Sequence, residues 1–175
     1  MPATSPQHSR ALSEHPDKRK AAASVYWGRE IPEAIRALGA LANANYADVV
    51  TATIDDTQGR TPEQLIHAAL DGLPHSLLVL VPFIQRVFLG LRLKLRPSPD
   101  HLLGWKVADR SDNWVRIEAA SWFLTGHVVM HLDEKQVSFA SFIRYDRWPA
   151  AVVWPPISLI HRQVALALVR SATSV

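Results

Sequence analysis

The sequence predicts an α+β domain: a curved antiparallel β-sheet wrapped around a long C-terminal helix, with short helices after the first strand. Three observations predict it. A β-branched run at 46–54 is followed by a segment carrying helix-capping residues. Beyond residue 100 the chain becomes short apolar runs at regular spacing, divided by polar turns. The closing segment PPISLIHRQVALALVRSA, 155–172, is apolar at helical spacing. An antiparallel sheet must bury one face, and the long helix is its natural cover.

The bulk composition sets the limits. A chain of 175 residues fits one domain with a sizeable core, and 48% apolar against 20% charged is a globular balance. There is no cysteine, which excludes disulfides, thiolate metal sites and a cysteine nucleophile. The net charge of +3 is concentrated at the start: residues 1–24 hold Arg10, Lys18, Arg19 and Lys20 against Glu14 and Asp17. That segment is expected to be a disordered basic tail, with one domain over 25–175. The near-neutral remainder lacks the basic face of a specific nucleic-acid binder. MPATSPQHSRALSEHPDKRK has no apolar stretch of the secretory kind, and the chain is assigned to the cytoplasm.

The elements follow in order. REIPEAIRALGALA, 29–42, has helical spacing in Ile31, Ile35 and Leu38. YADVVTATI, 46–54, reads as a strand and DDTQGR as a turn. In TPEQLIHAALDG, Thr61 is the N-cap, Pro62 the first helical residue and Gln64 the partner in a capping box; Gly72 is placed to stop the helix in a left-handed conformation. Pro74 to Leu95 is the most apolar part of the chain. Its unbroken run, Leu77 to Ile84, is short of the roughly 20 residues a membrane span needs. It is expected to be a buried helix, bent or started at Pro82. Arg86, Arg92, Lys94 and Arg96 beside it leave a weak membrane-surface contact open.

The meander comprises LLGWKVADR, NWVRIEAAS, WFLTGHVVMHL and QVSFASFIRYD, with turns at Ser111–Asn113 and at Asp133–Lys135. WPAAVVW is read as a last short strand, and Pro155 and Pro156 as the opening of the final helix. Its apolar stripe is Ile157, Ile160, Val164, Ala167 and Leu168.

GHVVMHLD places His127 and His131 four residues apart, a metal-ligand spacing on a helix. Val128, Val129 and Gly126 favour a strand instead. Four strand residues separate the two backbones by about 13 Å, so they share a face and no metal ion is expected. If Glu134 and Lys135 form a two-residue turn, Leu132 faces Val137, Met130 faces Phe139 and Val128 faces Ser141, which makes that face the inside. Thr125, His127, His131, Ser138, Phe142 and Arg144 then face out.

Few residues offer chemistry. His161 sits at the edge of the stripe, near the mouth of any cavity under the helix. Arg116 and Glu118 either form a polar clamp inside a pocket or face out, with Arg116 pairing Asp109; the outside is favoured. Six tryptophans supply core packing or an aromatic lining. The sequence has neither a glycine-rich phosphate loop nor a G-x-S-x-G elbow, so it specifies no reaction and no cofactor.

The succession YADVVTATID, an apolar helix ending in RVFLGL, GWKVADRSDNWVRIEAAS and SFASFIRYDRWPAAVVWPPISLIHRQVALALVRSA resembles a bacterial domain family of unknown function related to the START/SRPBCC helix-grip superfamily. Pro156 and His161 match that family's proline and its histidine-containing last helix, and the resemblance spans about residues 45–172. It implies a cavity between sheet and helix in a superfamily of hydrophobic-ligand carriers, polyketide cyclases and inactive modules. These share no catalytic residues. The expectation is therefore a binder of a small apolar or amphipathic molecule. Leu124, Val128, Met130, Phe139 and Ile143 would give affinity, and His161, Ser141 and Glu118 polar contacts. The alternatives are a cyclase- or dehydratase-like enzyme using His161 or Glu118, and a ligand-free interaction module. A homodimer is compatible with each.

Overall fold

A computed structural model describes residues 24–54, 59–94, 96 and 98–174. The tail expected at 1–24 lies outside the described residues save for Ser24, as do residues 55–58 of the first turn. Among the described residues, seven strands form one antiparallel sheet: β1 (Val25–Gly28), β2 (Tyr46–Thr53), β3 (His101–Leu102), β4 (Trp105–Arg110), β5 (Trp114–Ala120), β6 (Leu124–Asp133) and β7 (Gln136–Tyr145). Their order is β1-β2-β7-β6-β5-β4-β3. Four helices accompany them: α1 (Glu33–Gly39), α2 (Pro62–Asp71), α3 (His75–Val87) and α4 (Pro149–Ser174). The molecule is thus α+β, with an antiparallel sheet and a long C-terminal helix.

The β6–β7 register is the one the alternation predicts. Asp133 pairs with Gln136 across the two-residue turn, Leu132 with Val137, Met130 with Phe139 and Val128 with Ser141. This inner face meets α4, which packs on β1, β2, β7 and α2. The main core lies here, with Val50, Leu65, Leu124, Val137 and Val169 all but inaccessible.

The outer face is not the wet surface expected. The helix α1 lies on β6 and β7 and closes a second, smaller core of Ile31, Ile35, Val49, Val129, Ala140 and Phe142. It arrives so close that a Cβ on Gly39 would overlap the Phe142 ring. The reason is legible in hindsight: Val49, Val129 and Ala140 alternate out of phase with the inner residues, so both faces of the central strands are apolar.

The capping of α2 follows the sequence. Thr61 Oγ1 accepts from the Gln64 N–H and Gln64 Oε1 accepts from the Thr61 N–H. Gly72, however, is right-handed, with φ −85°. A Cβ at Gly72 would meet the Ser171 hydroxyl of α4, which would have to turn aside.

Three expectations are corrected. WPAAVVW is not a strand but the first two turns of α4, which opens at Pro149. Pro155 and Pro156 are consequently inside that helix. They take two N–H groups from its ladder, but Ala151, Val152 and both prolines are exposed, so water reaches the carbonyls left over. The third is α3. The helix starts at His75 rather than Pro82, and none of its residues is buried. The inner sheet face beneath it is already covered by α2 and α4, and α3 stands across a cavity instead of on a core. By length and composition α4 could cross a membrane, yet Trp154, Ala165, Leu168 and Val169 are buried inside the fold.

Candidate functional site

A cavity of about 940 Å³ lies between the inner sheet face, α2, α3 and α4. That is within the range of small-molecule sites. The sheet supplies Ile117, Leu124, Val128, Phe139 and Ile143, and α3 supplies Leu77, Leu78, Val81, Pro82 and Ile84. Thus four of the apolar residues expected to hold a ligand, Leu124, Val128, Phe139 and Ile143, do line a cavity. Met130 is packed in the core and Ser141 is fully buried, so neither faces the space.

Glu118 belongs to the opposite face. In β5 it is one residue out of phase with Ile117, and it meets Lys106 at 3.2 Å and His127 at 3.7 Å. His127 also shares a 2.8 Å hydrogen bond with the Gly39 carbonyl at the end of α1. Arg116 pairs with Asp109 at 3.8 Å as expected, and it also donates to the Leu38 carbonyl. These groups fasten α1 to the sheet. They form no clamp in the pocket.

Of the site's polar centre, His161 and Ser141 were expected and Asp48 was not. Asp48 on β2 is cross-strand partner to Ser141 on β7, so both point at α4. On α4, Trp154, Ile157, His161, Val164 and Leu168 recur three or four residues apart and face inward. His161 is therefore in the middle of the inward stripe rather than at its edge. Its Nε2 shares a 2.9 Å hydrogen bond with Ser141 Oγ and lies 3.7 Å from Asp48 Oδ1. The other Asp48 oxygen accepts from Tyr46 OH at 2.6 Å and from Trp27 Nε1 at 3.1 Å. Arg29 stacks over the Tyr46 ring and Arg162 over the Trp27 ring.

Asp48 is 1% exposed. Burial pushes its carboxyl up, but the hydrogen bond and charge of His161, then the Tyr46 and Trp27 hydrogen bonds, outweigh it and hold Asp48 below the usual carboxylate range. Burial, followed by the hydrogen bond to Asp48 and its charge, drives the Tyr46 hydroxyl far above its ordinary value. The cluster is therefore an ionised carboxylate under a neutral phenol, with the imidazole between it and the cavity. A serine–histidine–aspartate relay needs acid and nucleophile on opposite ring nitrogens. Here both sit on the same side of His161, so no acyl-transfer triad is built.

A signal for Asp48 was present. Tyr46, Asp48, Val50 and Ala52 alternate in one phase, which sets an acid on the core face of an apolar strand. Val49 beside Val50 obscured that phase.

Two polar poles mark the cavity. At the first, Trp154 lines the space beside His161, with ring centroids 5.5 Å apart, and its buried indole N–H has no hydrogen-bond partner among the described residues. At the second, near β3 and β4, are Lys94, Arg96, His101 and Gln85. Gln85 accepts from the Trp105 indole at 3.4 Å. The first pole stands over β2 and β7 and the second beside β3 and β4, and β7 and β4 are three places apart in the sheet. No protein-family model, curated protein or solved structure matches this chain.

Proposed function

We propose that the protein binds a small apolar or amphipathic molecule in this cavity, in a START-like helix-grip arrangement. The observation that carries the reading is a space of about 940 Å³ whose sheet and helix walls are mainly apolar. The element order from β2 to α4 supports the helix-grip part. The poles suggest the ligand's form: an apolar body between polar ends. A hydrogen-bond acceptor would meet the orphan Trp154 N–H near His161, since a buried donor without a partner is costly. An anionic or strongly polar group would meet Lys94 and Arg96.

Native mass spectrometry of protein purified from its own host, with extraction of any adduct, tests this. A stoichiometric apolar adduct is expected. A bare mass, together with no melting shift across a panel of lipids and polyketides, would sink the reading.

A second reading is acid–base catalysis in the same cavity, favoured by the ionised Asp48 behind His161. His161→Gln separates the two. A binder loses affinity modestly, whereas an enzyme keeps its ligand and loses turnover.

A further inference from the structure

We propose that α3 and the adjoining rim of the cavity dock on an anionic lipid surface. The helix presents its most apolar residues to solvent. Val79, Phe83 and Val87, four residues apart, form a stripe and are 58%, 53% and 61% exposed, and Phe88 extends it. A helix of thirteen residues is about 20 Å long and cannot cross a hydrocarbon layer of ~30 Å. It suits the interface plane, with one side in the acyl boundary.

Charge identifies the partner. From Gly72 to Pro99 the chain has no aspartate or glutamate, yet it holds Arg86, Arg92, Lys94 and Arg96. All four are exposed, and none is in an ion pair among the described residues. A second copy of the chain on this face would set these cations against their own symmetry mates. Lipid phosphates would neutralise them. The cavity reaches solvent beside this helix: Leu78 of α3, with Leu103 and Ile160, lines it and is exposed, and Lys94 and Arg96 of the basic stretch line it too. A lipid-borne molecule could then enter without crossing water. The docking itself does not depend on whether the cavity is filled.

The test is flotation of the full chain with vesicles of phosphatidylcholine alone and of phosphatidylcholine and phosphatidylglycerol in equal parts. Binding to the mixed vesicles, weakened by salt, is the expected result. Replacing Arg86 or Arg92 with Gln should each weaken it roughly fivefold. The pair V79E and F83E should weaken it by roughly tenfold or more. These side chains lie outside the cavity lining, so ligand retention in native mass spectra should persist in the V79E/F83E protein. That persistence separates a failure of docking from a failure of ligand binding. Three results would overturn the inference: no binding to mixed vesicles, equal binding to both vesicle types, or binding indifferent to V79E/F83E. A dimer in sedimentation that V79E/F83E converts to monomer, without vesicle binding, would assign the face to a second copy.

Discussion

The two walls of the cavity are built on opposite terms. The wall of β1, β2, β7 and α4 is tied by the buried Asp48 carboxylate, which meets Trp27, Tyr46 and His161, by the Ser141–His161 hydrogen bond, and by α4 residues packed on the sheet. The opposite wall, α3, has no buried residue. Its apolar side chains touch either the cavity or solvent. One wall carries the stability of the domain, while the other can move or meet a partner at small cost to the fold. A space between a fixed wall and a loosely held one suits capture and release of a ligand.

The sharpest way to break the comparison is to remove its anchor. Asp48→Ala should cost about 3 kcal/mol of stability, because the buried Tyr46 donor and the half-buried Trp27 donor lose their acceptor. Denaturant unfolding measures it; a loss under ~1 kcal/mol would mean that the cluster is no more than a surface-grade contact. Next is a matched pair. Leu168→Ala on α4 should cost about 3 kcal/mol, and Leu80→Ala on α3 below about 0.5 kcal/mol. Equal losses would erase the distinction between the walls.

The pH dependence sharpens it further. The folded Asp48 carboxyl lies below its unfolded value near 3.9. Its contribution is therefore full above about pH 4 and is lost as pH falls through the folded value. Tyr46 acts in the other direction, since its folded value is raised, and stability should decline as pH climbs past about 10. Melting curves against pH should show both slopes, and Asp48→Asn should flatten the acid one. The smallest effect is kinetic: amide hydrogens of α3 should exchange well before those of α4 between Ala165 and Ala172. Similar protection in both helices would count against a loosely held wall.

The meander was legible because strand alternation and two-residue turns are local properties. The register at Glu134 and Lys135 followed from them, and so did four of the cavity-lining residues. The caps at Thr61 and Gln64 were equally local. Less could be read at α3. Leu77 to Ile84 is as apolar as a buried helix, and composition alone does not say whether a core or a cavity lies beneath. Trp148 to Trp154 is short and apolar, and such runs read as strand or helix until length decides; here it continues into α4. Glu118 was a candidate because the phase of β5 is ambiguous from its own residues, and the cross-strand partners settle it.

By itself, the sequence determined the antiparallel strands, their turns, the capped α2 and the apolar character of the last helix. These depend on residues within a few positions of one another. The tertiary structure decided what depends on distant pairs. It brought Asp48, Ser141 and His161 together from three elements, laid α1 over the outer face, and left α3 without a core to sit on. Alternation and capping act over one turn or one hairpin, whereas burial depends on which element arrives to cover a surface. That is why the chemistry of the site, unlike the strands that carry it, emerged only in three dimensions.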